Sequence, residues 1–290
     1  MMTANKTEKL GEFFEMMVET KSHHASNTHY YQFVKSVCSD MFAQSGLRNP
    51  EGEPIDFGPF GKIVIPYYAM GAIDTIDLFG LDELIIFAFY NANRNKYRNT
   101  VDIGANMGLH SILMARCGYK VRAFEPDPVH YDLLKRNLAL NSINEVDVIK
   151  AAVSDKDGSM EFVRVKGNTT GSHLAGAKAN PYGDLERFPV DVKSFTSVLD
   201  QVDFAKIDAE GHEVIILRSL PAEYWRRLDV MLEVGTVENA SALFEHFKSM
   251  PVNLFAQKIG WNQVTKVSDM PTSHREGSLF ITAKSEMPWG

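Results

Sequence analysis

Two hydrophobic rhythms alternate along the chain, and their alternation predicts its architecture. Apolar runs of strand length lie at 100–103, 121–124, 146–149, 204–208 and 229–233, several of them ending at a glycine or an acid. Between them the apolar positions fall three and four apart, as in helices. Leu109, Ile112 and Leu113 share one face before a closing Gly118, and Leu133, Leu134 and Leu138 follow Asp127-Pro128. Further helical segments lie at 213–220 and 239–250, and runs at 252–257 and 279–283 are placed to close a sheet as an antiparallel pair. This rhythm predicts an α/β fold, a seven-stranded, mainly parallel, Rossmann-like sheet with helices on both faces. Ligands of such sheets bind beyond the carboxyl ends of the strands.

Before residue 99 the pattern differs. Leu10, Phe13, Phe14 and Met17 form one amphipathic stripe. Asn27 is placed to cap a second helix carrying Tyr30, Phe33, Val34, Val37 and Met41, ended by Gly46. Residues 49–66 are rich in proline and glycine, with 62–65 as a strand in a hairpin, and a helix over 82–97 turns Leu84, Ile85 and Phe89 inward. Residues 1–98 therefore read as a helical and hairpin cap on a domain formed by 99–290. His23 and His24 fall in a polar link and read as a solvated loop, since no cysteine or spaced carboxylate accompanies them. After the third strand, 160–165 reads as a hairpin strand and 167–183 as a long polar loop, placed as a substrate-side lid.

Composition narrows the function. A net charge of −7 and a pI near 5.7, with no basic run, disfavour nucleic acid as a partner. The longest apolar stretch, 84–90, is too short to span a bilayer, and the first residues show no apolar leader. Two cysteines without a pattern, Cys38 and Cys117, suggest reduced thiols and a cytoplasmic protein. Oligomeric state is open, although the apolar N-terminal helices offer surfaces for pairing protomers.

The chemistry concentrates in the first strand–turn–helix–strand unit. Asp102 ends the first strand, Gly104, Asn106 and Gly108 shape the turn, and Glu125 ends the second strand. The glycine spacing is wrong for a dinucleotide fingerprint, and an acid at the first strand end would face a phosphate badly. It suits a cationic amino acid portion. S-Adenosylmethionine carries an ammonium and a sulfonium and no phosphate, and Glu125 is placed to accept both ribose hydroxyls. An NAD-dependent oxidoreductase is the disfavoured rival.

VDIGANMGLHS, AFEPDP followed by LLKRNLALN, and above all KIDAEGHE at 206–213 resemble the FkbM family of S-adenosylmethionine-dependent methyltransferases, over about residues 100–235. The resemblance implies a class I methyltransferase fold and O-methylation of a sugar, glycan or natural-product hydroxyl. N-methylation of a small molecule and non-catalytic cofactor binding stay as alternatives.

By fold analogy Ala152 and Val153 lie at the adenine edge. Asp208 and Glu233 end adjacent strands, where they could converge below the methyl group and hold a substrate hydroxyl or a divalent cation. With no third carboxylate beside them the metal is not favoured. Asp208 also serves the cofactor, and with Glu210 and His212 it makes the candidate catalytic set. His212 is the expected general base, its helix-start position favouring a neutral ring, while a ring that only braces the loop is the alternative. Tyr67 and Met70 from the cap, and Ser172 and His173 from the long loop, are the remaining candidate substrate contacts.

Overall fold

Strands that are buried on both faces read as continuous apolar runs, and three such runs form the middle of the main sheet. In chain order its strands are β1 (Asn99–Ile103), β2 (Lys120–Phe124), β3 (Asp147–Ile149), β4 (Phe204–Ile207), β5 (Asp229–Glu233), β6 (Asn253–Ala256), β7 (Asn262–Gln263) and β8 (Ser278–Thr282). The computed structural model describes residues 4–43, 45–177 and 183–290. The sheet order is β7-β6-β8-β5-β4-β1-β2-β3. Pairs from β3 to β5 are parallel, while β8 lies antiparallel to both β5 and β6. The short edge strand β7 is one more than the expected seven.

The helices are α1 (Ala4–Glu19), α2 (His29–Ala43), α3 (Leu81–Ala92), α4 (Leu109–Arg116), α5 (Pro128–Leu140), α6 (Phe195–Val198), α7 (Glu213–Arg218) and α8 (Val237–Phe247). Period-two alternation in the strands divides the core into two layers. Phe204 and Phe280 face the layer built by α1 to α5. Val101, Ile103, Ile207 and Ile281 face the layer of α6 to α8. The cap therefore shares one continuous core with the sheet, through Phe14, Phe57, Leu84 and Phe87.

Three expectations for the cap need correction. Thr28, not Asn27, caps α2, its Oγ1 accepting from Tyr31 N at 3.1 Å. The buried face of α2 is Tyr31, Val34, Cys38 and Phe42, while Phe33 is 69% exposed and Val37 and Met41 also face solvent. Both faces of this helix are apolar, so the pattern could not orient it; the Tyr31 hydroxyl, donating to Asp82 at 2.7 Å, does. His24 is buried rather than solvated. Trp261 Nε1 donates to its Nδ1 at 3.0 Å, and burial pushes the imidazole down to about 4.

Between β3 and α6 the chain builds a second sheet of Ala152–Ser154, Asp184–Ser194, Gly158–Lys166 and His173–Leu174, in that spatial order. The polar loop at 167–183 is thus partly structured, and its residues 178–182 lie outside the described residues. The insertion is pinned to the main domain by Arg164, which donates to both carboxylate oxygens of Asp127 at 2.7 Å. Such bidentate pairs fix orientation as well as adding energy.

Candidate active site

The turn after β1 sets the site. Gly104 has φ +75, and a Cβ there would lie 1.8 Å from the carbonyl oxygen of Asp208. Only glycine lets the ends of β1 and β4 come this close. The amides of Gly104 and Ala105 both donate to Phe124 O at 3.0 Å, which folds the turn over β2. Asn106 follows at φ +51, and its amide donates to Glu125 Oε2 at 2.8 Å. Gly108, at φ +89, opens α4 where a Cβ would meet the Leu134 side chain at 2.9 Å.

Beyond the strand ends lies a cavity of about 510 Å³, lined by Gly104, Asn106, Glu125, Ala152, Val153, Ser172, His173, Asp208, Glu210 and Glu233, among others. Its roof is a crossing of the cap with the insertion. Thr169 N donates to Met70 O at 2.7 Å, and Ala72 N to Asn168 Oδ1 at 3.2 Å. Glu125 is 5% exposed, and its Oε1 accepts from Asp127 N at 2.8 Å. Burial, against the two amide donors, pushes its carboxyl up to about 8.

A second cavity of about 460 Å³ adjoins the first and shares Glu83, Asp208, Glu233 and His274 with it. Its walls include Phe42, Ile76, Phe79, Ile86 and Met231, with Lys35 and Ser39 of α2 also lining it. The carboxylates at the neck differ in state. Lys206 Nζ lies 3.3 Å from Asp208 Oδ2. Burial opposes the Lys206 ammonium, but Asp208, Asp102 and Glu83 outweigh it and hold it above the usual lysine range. Burial, reinforced by Asp208, Glu210 and Glu83, lifts the Glu233 carboxyl well above the carboxylate range. Burial also opposes the charge on Glu83, yet His110, its Nε2 at 2.9 Å from Oε2, holds this carboxyl below its ordinary value.

Five expected site residues lie outside the lining, Gly108 at the start of α4 among them. Asp102 is fully buried beneath the first cavity, where its Oδ2 accepts from Ser111 Oγ at 2.6 Å and its Oδ1 has no hydrogen-bond partner. Val101 and Ile103 face the α6–α8 layer, so the intervening Asp102 turns toward α4 instead. Tyr67 stays in the cap, donating to Asp74 Oδ2 at 3.1 Å. Met70 is buried behind the lining, its sulfur accepting from Asn106 Nδ2 at 3.8 Å. His212 is 2% exposed and does not line the cavity. Its Nε2 pairs with Ser154 Oγ at 2.8 Å, and burial lowers its basicity.

That placement corrects the expectation of a rim base, and the loop chemistry explains it. Glu210 at φ +50 and Gly211 at φ +102 turn the backbone sharply, and Glu213 gathers the Ala209 and Gly211 amides at 2.9 and 3.1 Å. The turn carries Glu210 to the cavity and drives the next side chain inward. Glu83, Lys206 and His274 were not singled out from the sequence. The one signal for Glu83 is its charge, beside Asp82, at the head of the apolar run LIIFAFY. Among the described residues no group of three His, Cys, Asp or Glu side chains is arranged to hold a metal ion.

Residues 102–254 match the methyltransferase FkbM domain. The chain belongs to the FkbM methyltransferase family. Methyltransferase sdnD of Sordaria araneosa is 29% identical over 198 residues, covering 56% of this chain and 74% of that protein. Methyltransferase 1 of Beauveria bassiana is 27% identical over 174 residues, covering 50% of this chain and 69% of that protein. A crystal structure of an S-adenosylmethionine-dependent methyltransferase from Agrobacterium tumefaciens is similar at 9% identity and TM-score 0.42, covering 83% of this chain and 72% of that one. The protein is thus an S-adenosylmethionine-dependent methyltransferase on a Rossmann-like α/β fold, and no helix of its described residues is long and apolar enough to cross a membrane.

Proposed function

We propose that this methyltransferase modifies a hydroxyl oxygen of a small molecule, a natural product or a sugar, that enters from the second cavity. The observation that carries the reading is the shared neck, where two cavities of comparable size meet at Glu83, Asp208 and Glu233. The first cavity fits the cofactor. Glu125 accepts the ribose hydroxyls, Ala152 and Val153 flank the adenine, and Asp208 and Glu210 face the cationic amino acid portion. The buried Asn106 Oδ1 has no hydrogen-bond partner and fits a donor from the ligand. Bound there, S-adenosylmethionine supplies an electrophilic methyl group. The protein aligns the acceptor with it and keeps water out beneath the roof of residues 70–72 and 168–174. Ser172 and His173 bound the cavity on that side. No metal step is required, and activity is expected to survive EDTA. Two free, buried cysteines support a cytoplasmic setting.

The test has two parts. Calorimetry with S-adenosylhomocysteine checks the cofactor cavity. Tritiated methyl transfer to panels of alcohols, sugars and amines identifies the acceptor. Ser39→Trp, on the rim of the second cavity, should then raise the acceptor KM at least about tenfold and leave S-adenosylhomocysteine affinity within about twofold. An unchanged KM would remove the second cavity from the reading. The acid-rich neck favours one rival, an amine acceptor, which the amine panel decides.

A further inference from the structure

Three carboxylates line both cavities, and their surroundings divide their work. Asp208 is paired with the Lys206 ammonium. Glu233 stands among Asp208, Glu210 and Glu83, which disfavours a further negative charge. Glu83, in the first turn of α3, has a different backing. Its Oε2 meets His110 Nε2 at 2.9 Å, and His110 Nδ1 meets the Tyr90 hydroxyl at 2.9 Å. Tyr90 is fully buried, and its contact with Nδ1 holds the ring with Nε2 turned toward Glu83. Phe87 stands edge-on to the imidazole at 5.1 Å and fixes its plane. Glu83 lines both cavities, so its carboxylate is presented to a ligand at the neck.

We infer that Glu83 is the catalytic residue that receives the acceptor proton, with His110 and Tyr90 positioning it. This rests on the two-cavity reading above. As the acceptor oxygen forms its bond to the methyl carbon, the carbon–sulfur bond breaks and its electron pair stays on sulfur, giving a neutral thioether. The hydroxyl proton passes to the Glu83 carboxylate, so no charge is left on the product oxygen. Carboxylate proton acceptors of this kind act by position, within hydrogen-bond reach of the reacting group.

The test needs no knowledge of the acceptor. Sinefungin carries an amine on the carbon that replaces the sulfonium centre, so its ammonium reports on charge where the methyl group is transferred. Calorimetry on the full chain should find sinefungin bound at least about fivefold more tightly than S-adenosylhomocysteine. Glu83→Gln should reduce that ratio to about one, with S-adenosylhomocysteine affinity within about twofold. His110→Gln should lower the ratio as well, whereas a merely structural role would weaken both ligands alike. A ratio that survives Glu83→Gln, or that is lost only in Glu233→Gln, overturns the assignment. If Glu83→Gln loses both ligands, Glu83→Asp decides: a reduced ratio with S-adenosylhomocysteine retained supports the role, and any other result refutes it. Failure of the wild-type protein to bind either ligand would instead refute the cofactor cavity itself.

Discussion

Glu125 offers the sharpest test of the cofactor cavity, because its proton and its ligand compete. Burial pushes this carboxyl up to about 8. The ribose hydroxyls donate, so they select the carboxylate, and binding below that pH must release a proton. The sign follows. A raised carboxyl makes the competent form scarce at low pH, so affinity for S-adenosylhomocysteine should rise with pH and level off above about 8. Each unit corresponds to about 1.4 kcal/mol, giving up to about a hundredfold between roughly pH 6 and 8. Glu125→Gln keeps the shape but cannot ionise. It also turns an amide toward the Asn106 or Asp127 N–H, both of which donate to the native carboxylate at 2.8 Å. Above pH 8 the variant should bind about ten- to a hundredfold more weakly, the magnitude of charge-assisted hydrogen bonds. Near pH 6, where the native carboxyl is protonated, the two proteins should converge. Calorimetry in buffers of different ionisation enthalpy counts the released proton directly. A pH-independent wild type, or an equal slope in the variant, would refute the reasoning.

Gly104→Ala should abolish S-adenosylhomocysteine binding, since its Cβ would sit 1.8 Å from the Asp208 carbonyl oxygen; binding within about twofold would show that the β1–β4 contact yields. His24, held down to about 4, gives a pH-dependent stability. Its folded value is depressed, so its contribution is complete above about 6.5 and is lost as pH falls toward 4, at a cost of roughly 3 kcal/mol. Denaturant titrations across that window should show a shallower loss for His24→Gln, and identical slopes would exclude the histidine. His212→Asn should lower stability by about 1 kcal/mol through the lost bond to Ser154, with turnover on the identified acceptor within about fivefold. A fall of about 10²–10⁴ would restore it as a base. Turnover should persist in EDTA, and a complete loss restored by magnesium would place a metal at Asp208 and Glu233.

Much of this protein is legible in its sequence, because local chemistry decides it. Strand-length apolar runs, the glycine turn and the acids at 102, 125, 208 and 233 follow from periods of two and 3.6 and from backbone permission. They located the strand ends and hence the cavity. What the sequence could not decide was direction. In α2 both faces are apolar, and the bond from Tyr31 to Asp82 chose the buried one. In β1 alternation turned Asp102 away from the cavity, and in KIDAEGHE one positive-φ pair sent Glu210 out and His212 in. Glu83 became visible only when the first turn of α3 was laid against β4 and α4, residues far apart in the chain. Periodicity fixes which positions share a face. Which face meets which neighbour is set by long-range packing, whose partners a local pattern does not contain.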